Sequence, residues 1–308
     1  MSDLFQNLTA GFSRFVLAWL VPSMATVSLF AIFLYPHVSH SSLLVPVERV
    51  TRAGKLDGAV VFALGTLLLS LLFALTSLPL NRLLEGYTLP PSLRRYLLAK
   101  EVRRLARLRM LYLNTPRRFV AFRGQIKEQI DLYPTNRAQI MPTRLGNAWK
   151  AAETYGSRQF SLDGQTFYYE LQGVVPGTVR KDLEDARAQV DFFIAFVGQL
   201  GLLSIVSLVV AVSSAFAPAI ILAIVCTISA RLAYMAAVKN MTDVRYALQA
   251  LVNVGRPGLA EALGYRLPTT LSRERELWAA WMRFITQQQP SELEELDSER
   301  AGVANERD

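Results

Sequence analysis

Three uncharged stretches constrain this chain more than anything else in it: Phe15 to Tyr35, Gly58 to Leu80, and a 39-residue run from Phe192 to Ala230. An α-helix needs about 20 apolar residues to cross a bilayer core of about 30 Å, so the first two are span-length. The third is too long for one span even when tilted, and must turn near its middle. Ser213, Ser214 and Pro218 supply the turn, giving a third span from Phe192 to Val212 and a fourth from Ala219 to Val238. Arg231, near the end of the fourth, is expected to snorkel toward the headgroups. The expected fold class is an all-α membrane protein: four transmembrane helices in two hairpins, with a helical cytoplasmic domain.

Lys and Arg accumulate on cytoplasmic flanks of membrane spans. The connection between the first two spans holds only Arg49, Arg52 and Lys55, and the turn between the last two holds none. The other flanks hold Arg14; Arg82, Arg94, Arg95 and Lys100; Arg180, Lys181 and Arg187; and Lys239, Arg245 and Arg256. This excess predicts a plasma-membrane protein with both termini and the long middle segment in the cytoplasm. The leader carries Asp3 and no basic residue before Arg14, and its apolar run is longer than a signal-peptide core, so a retained anchor is expected. Leu4, Phe5, Leu8 and Phe12 recur at helical spacing, as in an interfacial leader. The resulting division is leader 1–14, first hairpin 15–80, basic cytoplasmic segment 81–190, second hairpin 191–238, cytoplasmic helices 239–289 and an acidic tail 290–308, expected to be disordered.

A net charge of +8 beside 52% hydrophobic residues fits apolar spans alternating with basic flanks. Between Asn81 and Arg118 ten basic residues face only Glu85 and Glu101, a pattern that attracts anionic lipid. No recognisable nucleic-acid module or stacking aromatics accompany those charges, which argues against nucleic acid as a partner. Cys226 is the only cysteine, so an intrachain disulfide or redox pair is excluded, and its expected role is packing. His37 and His40 have no ligand set beside them, and no metal or cofactor is expected. The chain has no GxxxxGK[ST], GxSxG, HExxH or CxxC pattern, so no enzyme activity is read from it.

Pro90 and Pro91 open a helix whose Leu97, Leu98, Val102, Leu105, Leu108 and Tyr112 share one arc, with Lys100, Arg103, Arg104 and Arg107 opposite. Arg94 and Arg109 interrupt the apolar arc, which favours packing of that arc on the cytoplasmic body over lying on the leaflet. Gln125 to Leu132 reads as helical. Thr143 is the expected N-cap of a helix running to a glycine stop at Gly156, and Gly146 within it suggests a close approach. Gly164 to Tyr169 reads either as a short strand or as an aromatic helical turn. The third span is expected to continue unbroken from Val179, and the fourth to run on to a break at Gly255 and Pro257. A last helix is expected from a cap at Ser272, with Leu277, Trp278, Trp281, Met282 and Ile285 on one face.

Three separated stretches carry a resemblance: LPLNRLLEGY at Leu78 to Tyr87, DLYP at Asp131 followed by MPTRLGN and AAETY, and LAEALGYRLPTTLSRERELWAAW at Leu259 to Trp281. Together they resemble a group of uncharacterised bacterial multi-pass membrane proteins of actinobacterial type, over about residues 60 to 285. This chain has Asn81 before Arg82 where the group carries an apolar residue. The resemblance implies the same topology, and no established activity comes with it.

Glu85 and Arg144 are candidate partners in a polar network pinning the Thr143 helix start to the exit of the second span. Gln199 and Ser204 are candidate pore-lining residues, with Gly198 and Gly201 permitting close helix approach. Arg94, Arg95, Lys100, Arg103, Arg104 and Arg107 are candidate contacts to lipid headgroups. The functional expectation is a membrane-anchored, non-enzymatic interaction or signalling protein with a cytoplasmic helical body. Its expected partners are anionic lipid, a cytoplasmic protein and other copies of itself. The alternative is an oligomeric ion channel or small transporter.

Overall fold

The structure is a computed structural model, and it describes residues 16–38 and 57–287. The interfacial leader, the basic residues and His40 of the first connection, and the acidic tail lie outside the described residues. Those described are helical throughout apart from turns, with no strand among them. They form two compact units, one from the residues up to Leu84 together with Arg187–Asn240, the other from Glu85–Ala186 together with the residues from Met241 onward.

In the first unit, α1 (16–38) carries two stretches of π-type hydrogen bonding, Val16–Leu20 and Phe30–Leu34, around α-helical turns. Helix α2 (Gly58–Leu75) packs against it. The expected second span does not run straight to Leu80. It ends at Thr76, and α3 (Ser77–Glu85) begins a new helix. Pro79 is the cause, since its ring excludes the carbonyl four residues earlier and its nitrogen has no proton to donate there. At the break the Thr76 hydroxyl and N–H both donate to the Leu72 carbonyl, at 2.7 and 2.9 Å.

Helix α9 (Gly177–Ser213) and helix α10 (Ala217–Ala262) contribute the rest of this unit. The expected turn is present between them, with Pro218 in the first turn of α10 and Ala215 in the left-handed region at φ 52°. Leu34, Leu200, Leu203, Val210, Leu222 and Cys226 form the unit's apolar core, so Cys226 is a packing residue. His37 stacks on the Phe216 ring, with centroids 3.5 Å apart. Much of the remaining apolar surface faces outward: Leu68, Leu75, Ile205, Val212, Ile221 and Leu232 are all more than half exposed. Among the described residues, four helices are long and apolar enough to cross a membrane: Ala18–His37, Gly58–Leu75, Gly177–Ser213 and Ala217–Ala262.

In the second unit, α4 (Pro91–Asn114) packs Leu98, Val102, Leu105 and Leu108 on Ile130, Tyr133 and Ile140. The apolar arc therefore finds a protein partner. Helix α5 spans Val120–Asp131, α6 Arg144–Glu153, α7 Tyr155–Phe160 and α8 Tyr168–Val174. Gly156 is not a helix stop. It lies within α7, where a Cβ would come 2.5 Å from the Leu162 carbonyl oxygen, so its role is close packing.

The expected break of α10 at Gly255 and Pro257 is also absent, and the helix continues to Ala262. Gly255 and Gly258 pack directly on Leu171 and Val174 of α8 and on Val175 just after it, and this tertiary contact holds a helix that local propensity would interrupt. The stop falls instead at Gly264, with φ 81°. There the Tyr265 N–H reaches the Ala260 carbonyl and the Gly264 N–H the Glu261 carbonyl, both at 2.9 Å, which is a Schellman ending. Helix α11 (Leu271–Gln287) follows, capped by Thr270 rather than Ser272: the Thr270 hydroxyl accepts from the Arg273 N–H at 3.4 Å. Leu277 and Trp278 are fully buried, while Ile285 is exposed and outside the packed face.

Candidate functional site

The MPTRLGN stretch folds into a clasp. Asn147 is fully buried: its Oδ1 accepts from the Met141 N–H at 2.8 Å, and its Nδ2 donates to the carbonyls of Met141 (2.8 Å) and Thr143 (2.7 Å). The Thr143 hydroxyl accepts from the Gly146 N–H at 3.0 Å, the expected N-cap, and donates to the Glu85 carbonyl at 2.8 Å. Gly146 has no room for a side chain, because a Cβ would overlap that same Glu85 oxygen. Gly86, at φ 94°, rests against Pro142 in the same way. The Glu85 carbonyl and Gly86 thus join this segment to the helix start at Thr143. Arg144 begins α6, half-buried.

Beside this clasp, about 460 Å³ of cleft opens between α4, α5, α6, α7 and α10. Arg109, Lys127, Arg158 and Arg245 line it, against the single carboxylate of Asp131. Its apolar wall comes from Ile130, Pro134 and Ala151. Lys127 and Asp131 form an ion pair one helical turn apart. Arg245 is buried, donates to the Asp131 main-chain carbonyl at 3.1 Å and lies 3.8 Å from its carboxylate. The Arg158 guanidinium donates to the Thr135 hydroxyl at 2.6 Å. Arg109 was visible in the sequence as a break in the apolar arc, and the DLYP stretch supplies Asp131 and Pro134. Arg158 and Arg245 carried no sequence signal for this cleft, since only folding brings them to it.

Two buried carboxylates were also not legible. Glu101 sits among the apolar residues of α4 and accepts from the Tyr133 hydroxyl at 2.6 Å. Glu274 receives Arg256 Nη1 at 2.8 Å on each of its oxygens and Trp278 Nε1 at 3.3 Å, while Arg256 lies over the Phe160 ring. Both pairs read as core-specifying networks.

In the first unit Gln199 is fully buried. Its Nε2 donates to the Ser23 hydroxyl at 2.9 Å, which in turn donates to the Trp19 carbonyl, and its Oε1 lies 3.1 Å from the Thr26 hydroxyl. Ser204 bonds the Ala223 carbonyl at 3.0 Å and the Thr227 hydroxyl at 2.9 Å. Both candidate pore-lining residues are therefore engaged inside helix–helix packing. A Cβ on Gly198 would lie 2.6 Å from Phe73, whereas Gly201 meets nothing within 4 Å, so only the first permits a close approach. Arg94, Arg95, Lys100, Arg103 and Arg107 are exposed on α4. Arg104 departs from that set: it is half-buried, and its Nη1 is enclosed.

Comparison with known proteins gives no match to a family model, a curated protein or a solved structure. The class defined by the fold is an all-helical protein with four helices of membrane-spanning length and apolarity.

Proposed function

We propose that this chain is a multi-pass protein of the plasma membrane, with two transmembrane hairpins, both termini cytoplasmic, and a non-enzymatic helical body that meets a partner at the inner leaflet. The observation that carries the reading is the outward-facing apolar surface of the first unit. Monomeric soluble proteins rarely expose contiguous apolar patches beyond a few hundred Å², and rows such as Leu64, Leu68, Leu71 and Leu75 along α2 suit lipid rather than water. Arg231, exposed and near the Tyr234 ring, fits a snorkelling position. Arg94, Arg95, Lys100, Arg103 and Arg107, exposed on α4, suit anionic headgroups, at about 1 kcal/mol each near the surface. Membership of the bacterial multi-pass group belongs to the same proposal.

The channel alternative gains no support from Gln199 and Ser204, whose polar atoms are taken up within the protomer. The test is reconstitution in liposomes. No ion flux from wild type or Gln199→Leu, together with crosslinking of the cytoplasmic body to a protein partner in cells, is the expected outcome. Flux that appears with wild type and falls in Gln199→Leu would put the channel first.

A further inference from the structure

We propose that the cleft of the second unit is a binding site for a phosphate-bearing small molecule. The inference goes beyond the membrane reading and stands whichever way the chain is oriented. Four cations from four different helices, Arg109, Lys127, Arg158 and Arg245, converge there on one carboxylate, leaving three positive charges uncompensated. Like charges gathered in a partly enclosed space repel one another, and a polyanion turns that repulsion into attraction. Three of the four are guanidinium groups, whose planar fork matches the oxygens of a phosphoryl group in paired hydrogen bonds. A single carboxylate ligand would leave most of the excess charge unmatched.

Two features mark this as more than a solvated basic patch. Arg245 is 93% withdrawn from solvent by its 7% exposure, and its Nε donor has no hydrogen-bond acceptor among the described residues. Arg109 has neither an ion-pair nor a hydrogen-bond partner among them, although it faces the cleft. The volume, about 460 Å³, lies in the range of small-molecule sites and exceeds what a bare phosphate fills, so the ligand carries an organic portion. The Ile130, Pro134 and Ala151 wall would receive that portion and exclude water from the charged contacts. Phosphate on a soluble metabolite and phosphate in a lipid headgroup share this chemistry.

The test uses the full chain in nanodiscs of zwitterionic phosphatidylcholine, titrated calorimetrically with glycerol 3-phosphate, inorganic pyrophosphate and a short-chain phosphatidylglycerol. Saturable binding of at least one probe at one site per chain is expected, weakened tenfold or more by Arg109→Gln/Arg158→Gln. Arg103→Gln/Arg107→Gln removes the same charge from the exposed face of α4 and is expected to change affinity less than twofold. Should the double cleft variant fail to fold, Arg109→Gln alone, which breaks no hydrogen bond or ion pair among the described residues, is expected to weaken binding at least threefold. Binding of phosphatidylglycerol alone identifies a headgroup site, and binding of the soluble probes identifies a metabolite site. Absence of saturable binding for all three probes overturns the proposal, as does equal weakening by the two double variants.

Discussion

At the scale of single residues, the second unit is held by polar side chains that the sequence does not distinguish from surface charge. Glu274 is the clearest case: one carboxylate, 6% exposed, answers both Arg256 and Trp278. Removing one partner of a buried pair leaves the other uncompensated, at about 3–5 kcal/mol. Glu274→Ala is therefore expected to lower the unfolding free energy by about 3 kcal/mol, read from the tryptophan-fluorescence transition of the full chain in detergent. A loss below a quarter of that would show the pair to be incidental. Asn147 makes a second case, because its amide satisfies both main-chain groups of Met141. Asn147→Leu keeps the volume but orphans them, and each buried orphan costs about 1–3 kcal/mol. A weaker effect of known sign attaches to Tyr87. Burial first, then the Glu153 and Glu85 charges, raise its phenol above the ordinary 10.0, against the lowering by Lys150 and Arg94. An acid whose folded pKa is raised ionises first in the unfolded chain, so its contribution is lost as pH climbs past 10. Tyr87→Phe is expected to flatten the alkaline limb of the stability profile without moving the neutral part.

At the scale of elements, the apolar stretches and proline positions made much of the helix order legible, and three errors show where such reading ends. Pro79 lay inside an apolar run, and hydropathy outweighed it in defining the second span although its ring breaks the helix at Thr76. Pro257 lay in a mixed run, where the same residue suggested a break that packing on α8 overrides. Gly156, expected to stop a helix, is instead a close contact, and the Schellman stop falls at Gly264, for which no role was expected from the sequence. The candidate cleft was still less legible, since Arg158 and Arg245 come to Asp131 from more than 20 residues away and share no spacing with it. The turn at 214–216 was placed correctly, but the residue under strain was not named. Ala215, at φ 52°, adopts a conformation that costs an L-residue with a Cβ about 1–2 kcal/mol. Ala215→Gly is accordingly expected to raise the thermal midpoint of the purified protein, and a lowered midpoint would show that the alanine methyl packs favourably enough to offset its strain.

At the scale of the molecule, the two units divide the chain's chemistry. The first exposes apolar side chains along its helices, and the second buries carboxylates in satisfied networks and displays cations. Their boundaries, 84/85, 186/187 and 240/241, lie within four residues of the 80/81, 190/191 and 238/239 divisions drawn from charge. Both divisions follow from one physical fact, that apolar runs and charged runs cannot share a solvent. If the apolar helices cross the bilayer as proposed, the turn at Ser214 and the Gln165 segment face opposite compartments. In a Cys226→Ser background, Ser214→Cys is expected to react with a membrane-impermeant maleimide added to right-side-out cells, and Gln165→Cys only in inverted vesicles. Cys226 is itself buried in the apolar core, so circular dichroism of the Cys226→Ser background checks that the added hydroxyl has not cost helix content. The reverse labelling pattern would keep the crossing by α9 and invert the orientation, showing that the basic excess of α4 does not set the topology. Labelling of both positions from one side would show that α9, the one candidate span between them, does not cross the bilayer.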